Sequence, residues 1–212
     1  MILHDRVVLV TGGAKRIGHA LALGAAKRGA RVAFSYHTAG PEARALVKAL
    51  ERQGTEALAV RADLSRGADA RRLIDRVASR FGRLDVLINS AANFDRVPFG
   101  RLTERDWDHS LDANLKGPFL TALHASRGLV HRCALRRAAG TETHADVAMA
   151  KLFATEAAAK AAEAAVMLHG ARGYSSAFPV ERLWRDVQAL RIYEGTSLIQ
   201  KTILARLLTT KP

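Results

Sequence analysis

"RVVLVTGGAKRIGHALALGAAKRG", residues 6–29, decides the fold. It opens on a short β-branched and aliphatic run, the composition of a strand buried on both faces. It closes on an alanine-rich stretch that predicts a helix from about Arg16 to Arg28. Between them, Thr11-Gly12-Gly13-Ala14-Lys15-Arg16-Ile17-Gly18 joins strand to helix. In such a turn a pyrophosphate can meet backbone N–H groups at a helix N-terminus, where the dipole also favours negative charge. Gly12 permits the tight turn, and Gly18 permits close helix–strand packing. Any strand–turn–helix unit can carry a glycine turn, so a purely structural role is the alternative.

The unit repeats outward. "ARVAFSY" (30–36) reads as a second strand, and Pro41 suits the first turn of the helix that follows. "EALAVRADL" (56–64) is a third strand, "DARRLIDRVASRFG" an amphipathic helix, and "LDVLINSAA" (84–92) a fourth strand. Apolar strands alternating with amphipathic helices predict an α/β protein with a partial, Rossmann-like, doubly wound parallel sheet of about four strands. Beyond residue 103 the pattern is helical almost to the end, so an all-α segment should follow. The stretch "GPFLTALHASRGLVHRCALRRAAG" (117–140) reads as one long helix, with Phe119, Leu120, Leu123, Ser126, Leu129 and Val130 on one broad face. With no fifth strand, the outer edge of residues 84–90 presents unpaired backbone groups unless helices or a partner chain cover it. We therefore expect an oligomer.

The chain has 212 residues, 49% hydrophobic and 25% charged, ordinary for a globular protein. No apolar run is long enough to span a bilayer, and the N-terminal apolar run is too short for a secretory signal. One cysteine, Cys133, excludes an internal disulfide framework and a multi-cysteine metal site. A cytoplasmic protein without membrane or metal is the expectation. The net charge of +13 raises nucleic acid as a partner. The excess is spread along the chain, however, and the densest cluster, "RGLVHRCALRR", lacks the interleaved aromatics of a base-stacking surface. We expect no nucleic-acid function.

Charge also bears on the cofactor. An NAD site wants Asp or Glu about 20 residues after the glycine turn, to accept from the ribose 2′-OH. Here the second strand ends Ser35-Tyr36-His37-Thr38, and the next acid is Glu42. Lys15 and Arg16 stand in the turn, where a 2′-phosphate can be paired, with His37 at the strand end. That favours NADP(H). Simple solvation of both cations is the other reading.

The turn resembles the TGxxxGxG pattern of the short-chain dehydrogenase/reductase family, with Arg16 in place of the central glycine as in its pteridine-reductase-like branch. "ADL" (62–64) resembles the family's adenine-holding segment, with Asp63 and Leu64. "NSAA" (89–92) is similar to its NNAG stretch, giving Asn89, Ser90 and Ala91. "ANLKGPFL" (113–120) resembles the segment bearing its active-site asparagine, here Asn114. The resemblance covers about residues 3–122. It implies a cofactor site formed by Thr11, Gly12, Lys15, Arg16, Ile17, Gly18, His37, Asp63, Leu64, Asn89, Ser90 and Ala91, and a carbonyl or pteridine-like substrate. The family's proton donor is a tyrosine with lysine four residues on. The three tyrosines here, Tyr36, Tyr174 and Tyr193, are followed at that spacing by Gly40, Phe178 and Ser197. Asn114 thus stands without the pair it would help to organise.

Residues 141–170 read as a long helix with N-cap candidates Thr141 and Thr143, ending at Gly170. Two shorter helices follow, broken at Gly195, the second capped by Thr196 or Ser197. "VAMAKLFATEAA", "LHGARGY", "FPVERLWRDV" and "RIYEGTSLIQ" resemble, in order and spacing, the C-terminal end of the acyl-CoA dehydrogenases. By that resemblance Glu194 would be the base that takes an α-proton from an acyl-CoA, given desolvation to raise its pKa. Gly170 and Thr196 would contact FAD. Read without the family, Glu194 is a carboxylate just before a helix, favourable to its dipole.

Two domains are thus expected: 1–122, nucleotide-binding, and 127–212, helical. The function expected is that of an oxidoreductase-family protein binding NADP(H) without the Tyr-x-x-x-Lys pair. The alternatives are an FAD-dependent acyl-CoA dehydrogenase-related subunit needing a partner chain, a non-catalytic dinucleotide-binding or regulatory protein, and a fusion of two gene fragments.

Overall fold

A computed structural model describes residues 3–209 of the chain. The domain bounds 1–122 and 127–212 include residues 1, 2 and 210–212, which lie outside the described residues. Compact units divide between Ala125 and Ser126.

The first unit holds β1 (Val7–Val10), β2 (Arg31–Tyr36), β3 (Ala57–Arg61) and β4 (Val86–Ile88), with α1 (Arg16–Ala26), α2 (Gly40–Arg52) and α3 (Gly67–Phe81) between them. All pairs are parallel, and the order across the sheet is β3-β2-β1-β4. The sheet alternates side chains between faces, so β1 feeds two cores. Val7 and Leu9 pack with Leu73, Ile74 and Val77 of α3. Val8 and Val10 pack with Phe34 of β2, Ala22 of α1 and Leu46 and Leu50 of α2. This explains why the strands read as continuous apolar runs. Asp85 ties the entry of β4 to β1, accepting from the Val7 N–H at 2.9 Å and from both arms of Arg83.

β4 is shorter than the sequence suggests, three residues, all half-buried. Among the described residues no strand pairs with its outer edge. The chain order reverses direction between β3 and β4, which puts the topological switch point at the C-terminal ends of β1 and β4, where open parallel sheets bind ligands.

Helix α4 (Glu104–Leu111) starts on a capping box between Thr103 and Asp106. It runs through a π-turn at Asp112–Lys116 into α5 (Gly117–Ala138). The π-turn has a cause in sequence. Pro118 has no N–H to give the carbonyl of Asn114, and in an unbroken α-helix its ring would press on that oxygen. The turn widens instead, and the Gly117 N–H bonds Asp112. The buried face of α5 matches the stripe read from sequence only in part, with Ser126 buried and Leu120 packed against the core. Phe119 and Val130 are 52% and 49% exposed, whereas Gly117, Thr121, Ala125 and Ser126 are buried. Small side chains let this helix approach closely, and a Cβ at Gly117 would lie 3.2 Å from Leu64.

The second unit is helical: α6 (His144–His169), α7 (Pro179–Leu190) and α8 (Ser197–Thr209). Of the two cap candidates for α6, Thr143 serves. Its Oγ1 accepts from the Asp146 N–H at 3.2 Å, and the Asp146 carboxylate accepts from the Thr143 N–H at 3.0 Å. Asp146 is buried and also pairs with Arg136 at 3.0 Å. Deeper in the unit, Glu156 of α6 accepts both arms of Arg191 at 2.8 and 3.2 Å and the Ser197 hydroxyl at 2.6 Å. Lys151 donates to the Gly195 carbonyl, and Gln200 to the carbonyls of Glu194 and Gly195. The connection between α7 and α8 is therefore fastened from both sides.

Burial is the largest single influence on Asp146 and raises its pKa. The Thr143 hydrogen bonds and the charges of Arg136 and Arg132 outweigh it, leaving the pKa below the ordinary 3.8. A folded-state pKa below the unfolded one contributes stability above the unfolded value, and that contribution is lost as pH falls through the folded one. Asp146→Asn should cost roughly 1–3 kcal/mol at neutral pH. Urea melts of the two proteins should converge as the pH drops below about 3.9.

Candidate nucleotide-binding site

The glycine turn hangs from one hydroxyl. Thr11 is buried at the end of β1, and its N–H bonds the Ile88 carbonyl of β4 at 2.9 Å. Its Oγ1 accepts the N–H groups of Ser90 and Ala91 at 2.9 and 3.0 Å. On the other side, the Gly12 N–H donates to the Ser35 hydroxyl at 3.1 Å and the Gly13 N–H to the Ser35 carbonyl at 2.9 Å. The turn is thus held to β2 and to the segment after β4 at once.

No side chain fits at its glycines. Gly12 has φ of +65°, and a Cβ there would come 2.8 Å from the Ala91 Cα. At Gly18 a Cβ would stand 2.3 Å from the Gly12 carbonyl oxygen. Arg16, in the place of the family's central glycine, keeps the conformation that glycine would favour, with φ of +51°. Left-handed backbone costs a non-glycine residue on the order of 1–2 kcal/mol. Its side chain, like those of Lys15 and Ile17, is exposed. Lys15 pairs with Glu42 in the first turn of α2 at 2.7 Å.

Beyond the turn, His37 follows β2 with Nε2 4.0 Å from the Asp63 carboxylate, and the Arg61 Nε donates to the His37 carbonyl at 3.3 Å. Asp63 accepts from the Ser65 hydroxyl at 2.7 Å and from its N–H at 3.1 Å. The hydroxyl bond is the main reason the Asp63 pKa lies below its ordinary value, helped by the Ser65 N–H and His37. Leu64 is a core side chain, so only its backbone faces outward roles. Asn89 accepts from the Thr121 hydroxyl of α5 at 2.8 Å. Asn114 sits in the π-turn, and its amide clasps Asn93, accepting from the N–H and donating to the carbonyl, both at 2.8 Å.

The sequence singles out the glycines, Asp63 and Asn114. It gives no reason to assign Ser65, Asn93 or Thr121, and the reading above assigns no role to Ser35. The signal for Ser35 was a hydroxyl inside an apolar strand, since a buried polar group needs a partner.

Glu194, Gly170 and Thr196 belong to the second unit. Gly170 closes α6 with φ of +57°. The Thr196 hydroxyl caps α8 by accepting from the Ile199 N–H at 3.3 Å, so Thr196 is the cap and Ser197 is spent on Glu156. Glu194 has φ of +55° and an exposed side chain.

A parallel sheet in the order 3-2-1-4 with a glycine turn at the C-terminal end of its first strand defines a Rossmann-like α/β protein. Residues 6–141 match the family model of the short chain dehydrogenases, and the chain belongs to that family. Residues 114–209 match the model of the acyl-CoA dehydrogenase C-terminal domain, so the matches overlap across the π-turn and α5. The 3-oxoacyl-(acyl-carrier-protein) reductase of Staphylococcus epidermidis is 36% identical over 115 residues, 54% of this chain and 47% of that protein. A short chain dehydrogenase from Burkholderia cenocepacia, solved in complex with NADP, superposes with a TM-score of 0.59 at 36% identity over 60% of this chain and 52% of that one. A blue fluorescent protein from a metagenomic library, solved with NADPH, gives 0.58 at 33% identity over the same shares. The chain spans about half the length of the curated relatives it matches. Among the described residues no helix is long and apolar enough to cross a membrane, and no group of three or more His, Cys, Asp or Glu is placed to hold a metal.

Thr11→Val keeps the side-chain shape but strands the N–H groups of Ser90 and Ala91. Chemical denaturation should show a loss of about 2–4 kcal/mol. Thr11→Ser should recover most of it.

Proposed function

We propose that the first unit binds NADP(H) and supplies no proton donor of its own for hydride transfer. One observation carries the reading: the turn at 11–18 is closed to side chains at Gly12 and Gly18 yet braced by Thr11 and Ser35. A backbone this tight, with N–H groups at the start of α1, fits a pyrophosphate and has no need of such precision as a plain connection. Lys15 and Arg16 would face the 2′-phosphate, with His37 beside them. Asp63 and the backbone of Leu64 would border the adenine, and Asn89, Ser90 and Ala91 the nicotinamide side. Asn114 reads best as a positioning residue, fixing the loop after β4 through Asn93.

When bound, the nicotinamide is a two-electron hydride carrier. What this chain contributes is the binding and orientation of that ring, since no tyrosine is followed by lysine at the family's spacing. The reading extends to a cytoplasmic protein that self-associates, motivated by the outer edge of β4, which pairs with no strand among the described residues. A carbonyl or pteridine-like substrate would need its proton from elsewhere. FAD and an acyl-CoA substrate have only the match of the second unit in their favour. Gly170 and Thr196 have helix-end duties there, and Glu194 lacks burial.

Titration with NADPH, followed by reduced-nicotinamide fluorescence and by the thermal midpoint, tests this. Saturable binding with stabilisation following RT ln(1+[L]/Kd) is expected. Gly18→Ala should remove the binding while far-ultraviolet circular dichroism is retained. A protein that ignores millimolar NADPH, or is isolated yellow with bound flavin, would overturn the reading.

A further inference from the structure

We infer that Glu42 is a built-in competitor for the 2′-phosphate of NADP(H), occupying Lys15 and so blunting the chain's preference for NADP(H) over NAD(H). The inference rests on the proposed NADP(H) reading and deepens it. Lys15 is the residue before α1, at the lip of the glycine turn, and Glu42 lies in the first turn of α2. Their charged atoms are 2.7 Å apart, and both side chains are about half exposed. Among the described residues Lys15 has this one ion pair and Arg16 has none. The two cations available to a phosphate are therefore unequal, one already neutralised and one open.

The Lys15 hydrogen bond, with one from the backbone, holds the Glu42 pKa below its ordinary value, so the carboxylate is fully charged at neutral pH. A dianionic phosphate beside Lys15 must either turn Glu42 away or sit next to its charge. Turning it away is feasible, because an exposed pair contributes little. Leaving it in place adds like-charge repulsion at short range, screened by salt. Either route weakens NADP(H) and leaves NAD(H), which has no phosphate there, almost untouched.

Glu42→Gln keeps the length and hydrogen-bonding capacity of the side chain and removes its charge. Kd values for NADPH and NADH, measured by calorimetry on the full chain at low and high salt, test the inference. NADPH should tighten by about three- to tenfold at low salt, and less at high salt, with NADH changed by less than about twofold. In Lys15→Met the same Glu42→Gln change should no longer improve NADPH binding, which a double-mutant cycle reads directly. Equal tightening of both cofactors, or an unchanged NADPH Kd in Glu42→Gln with wild-type binding intact, overturns the role of Glu42 alone. Failure of wild type and Glu42→Gln alike to bind either cofactor overturns the nucleotide reading and this inference with it.

Discussion

The first unit depends on a constraint at the end of β1, where the chain must turn sharply with no room for side chains and with Thr11 and Gly13 buried. Thr11 resolves this by accepting from two N–H groups of the segment after β4. Ser35 resolves the other side. The arrangement at the C-terminal ends of β1 and β4 thus keeps part-buried backbone groups bonded. The glycine turn and the neighbouring strands are tied by the same hydrogen bonds, so a change at Thr11 or Ser35 loosens both.

The second unit meets its constraints differently. A helix satisfies its own backbone, and the strain is displaced to the connection between α7 and α8, where Glu194 takes a left-handed conformation. Arg191, Ser197 and Gln200 anchor the connection on both sides of Glu194. Its carbonyl is held while its carboxylate faces solvent. The residue that a resemblance marks as a base takes a left-handed backbone conformation between anchored neighbours.

Much of the fold was legible because it follows from periodicity and turn chemistry. Strands of continuous apolar residues flanked by glycine and proline could hardly be anything but parallel and covered. The glycine turn was readable because Gly12 and Gly18 are steric requirements. The buried face of α5 was not legible, since a helix packed through Gly117, Thr121 and Ala125 leaves larger residues such as Phe119 outside, against the usual expectation for an amphipathic helix. The π-turn was signalled by Pro118, but only in hindsight of its partner, the Asn114 carbonyl. Ion pairs such as Lys15–Glu42 join residues whose proximity is a product of the tertiary fold, and sequence spacing carries no trace of them.

The overlap of two family matches along α5 has a consequence for how proteins are recombined. Every backbone hydrogen bond of an α-helix closes within the helix itself, over four residues, whereas each bond of a strand depends on a particular neighbour. A strand spliced in mid-course loses its register and its partners together. A helix spliced in mid-course loses neither, and needs only residues of tolerable propensity on both sides of the joint. Residues 114–141 satisfy two family descriptions at once, and most of them lie in the helical run from the π-turn through α5. Helices are the seams along which unrelated lineages can be joined and still produce a chain that knows where its atoms belong.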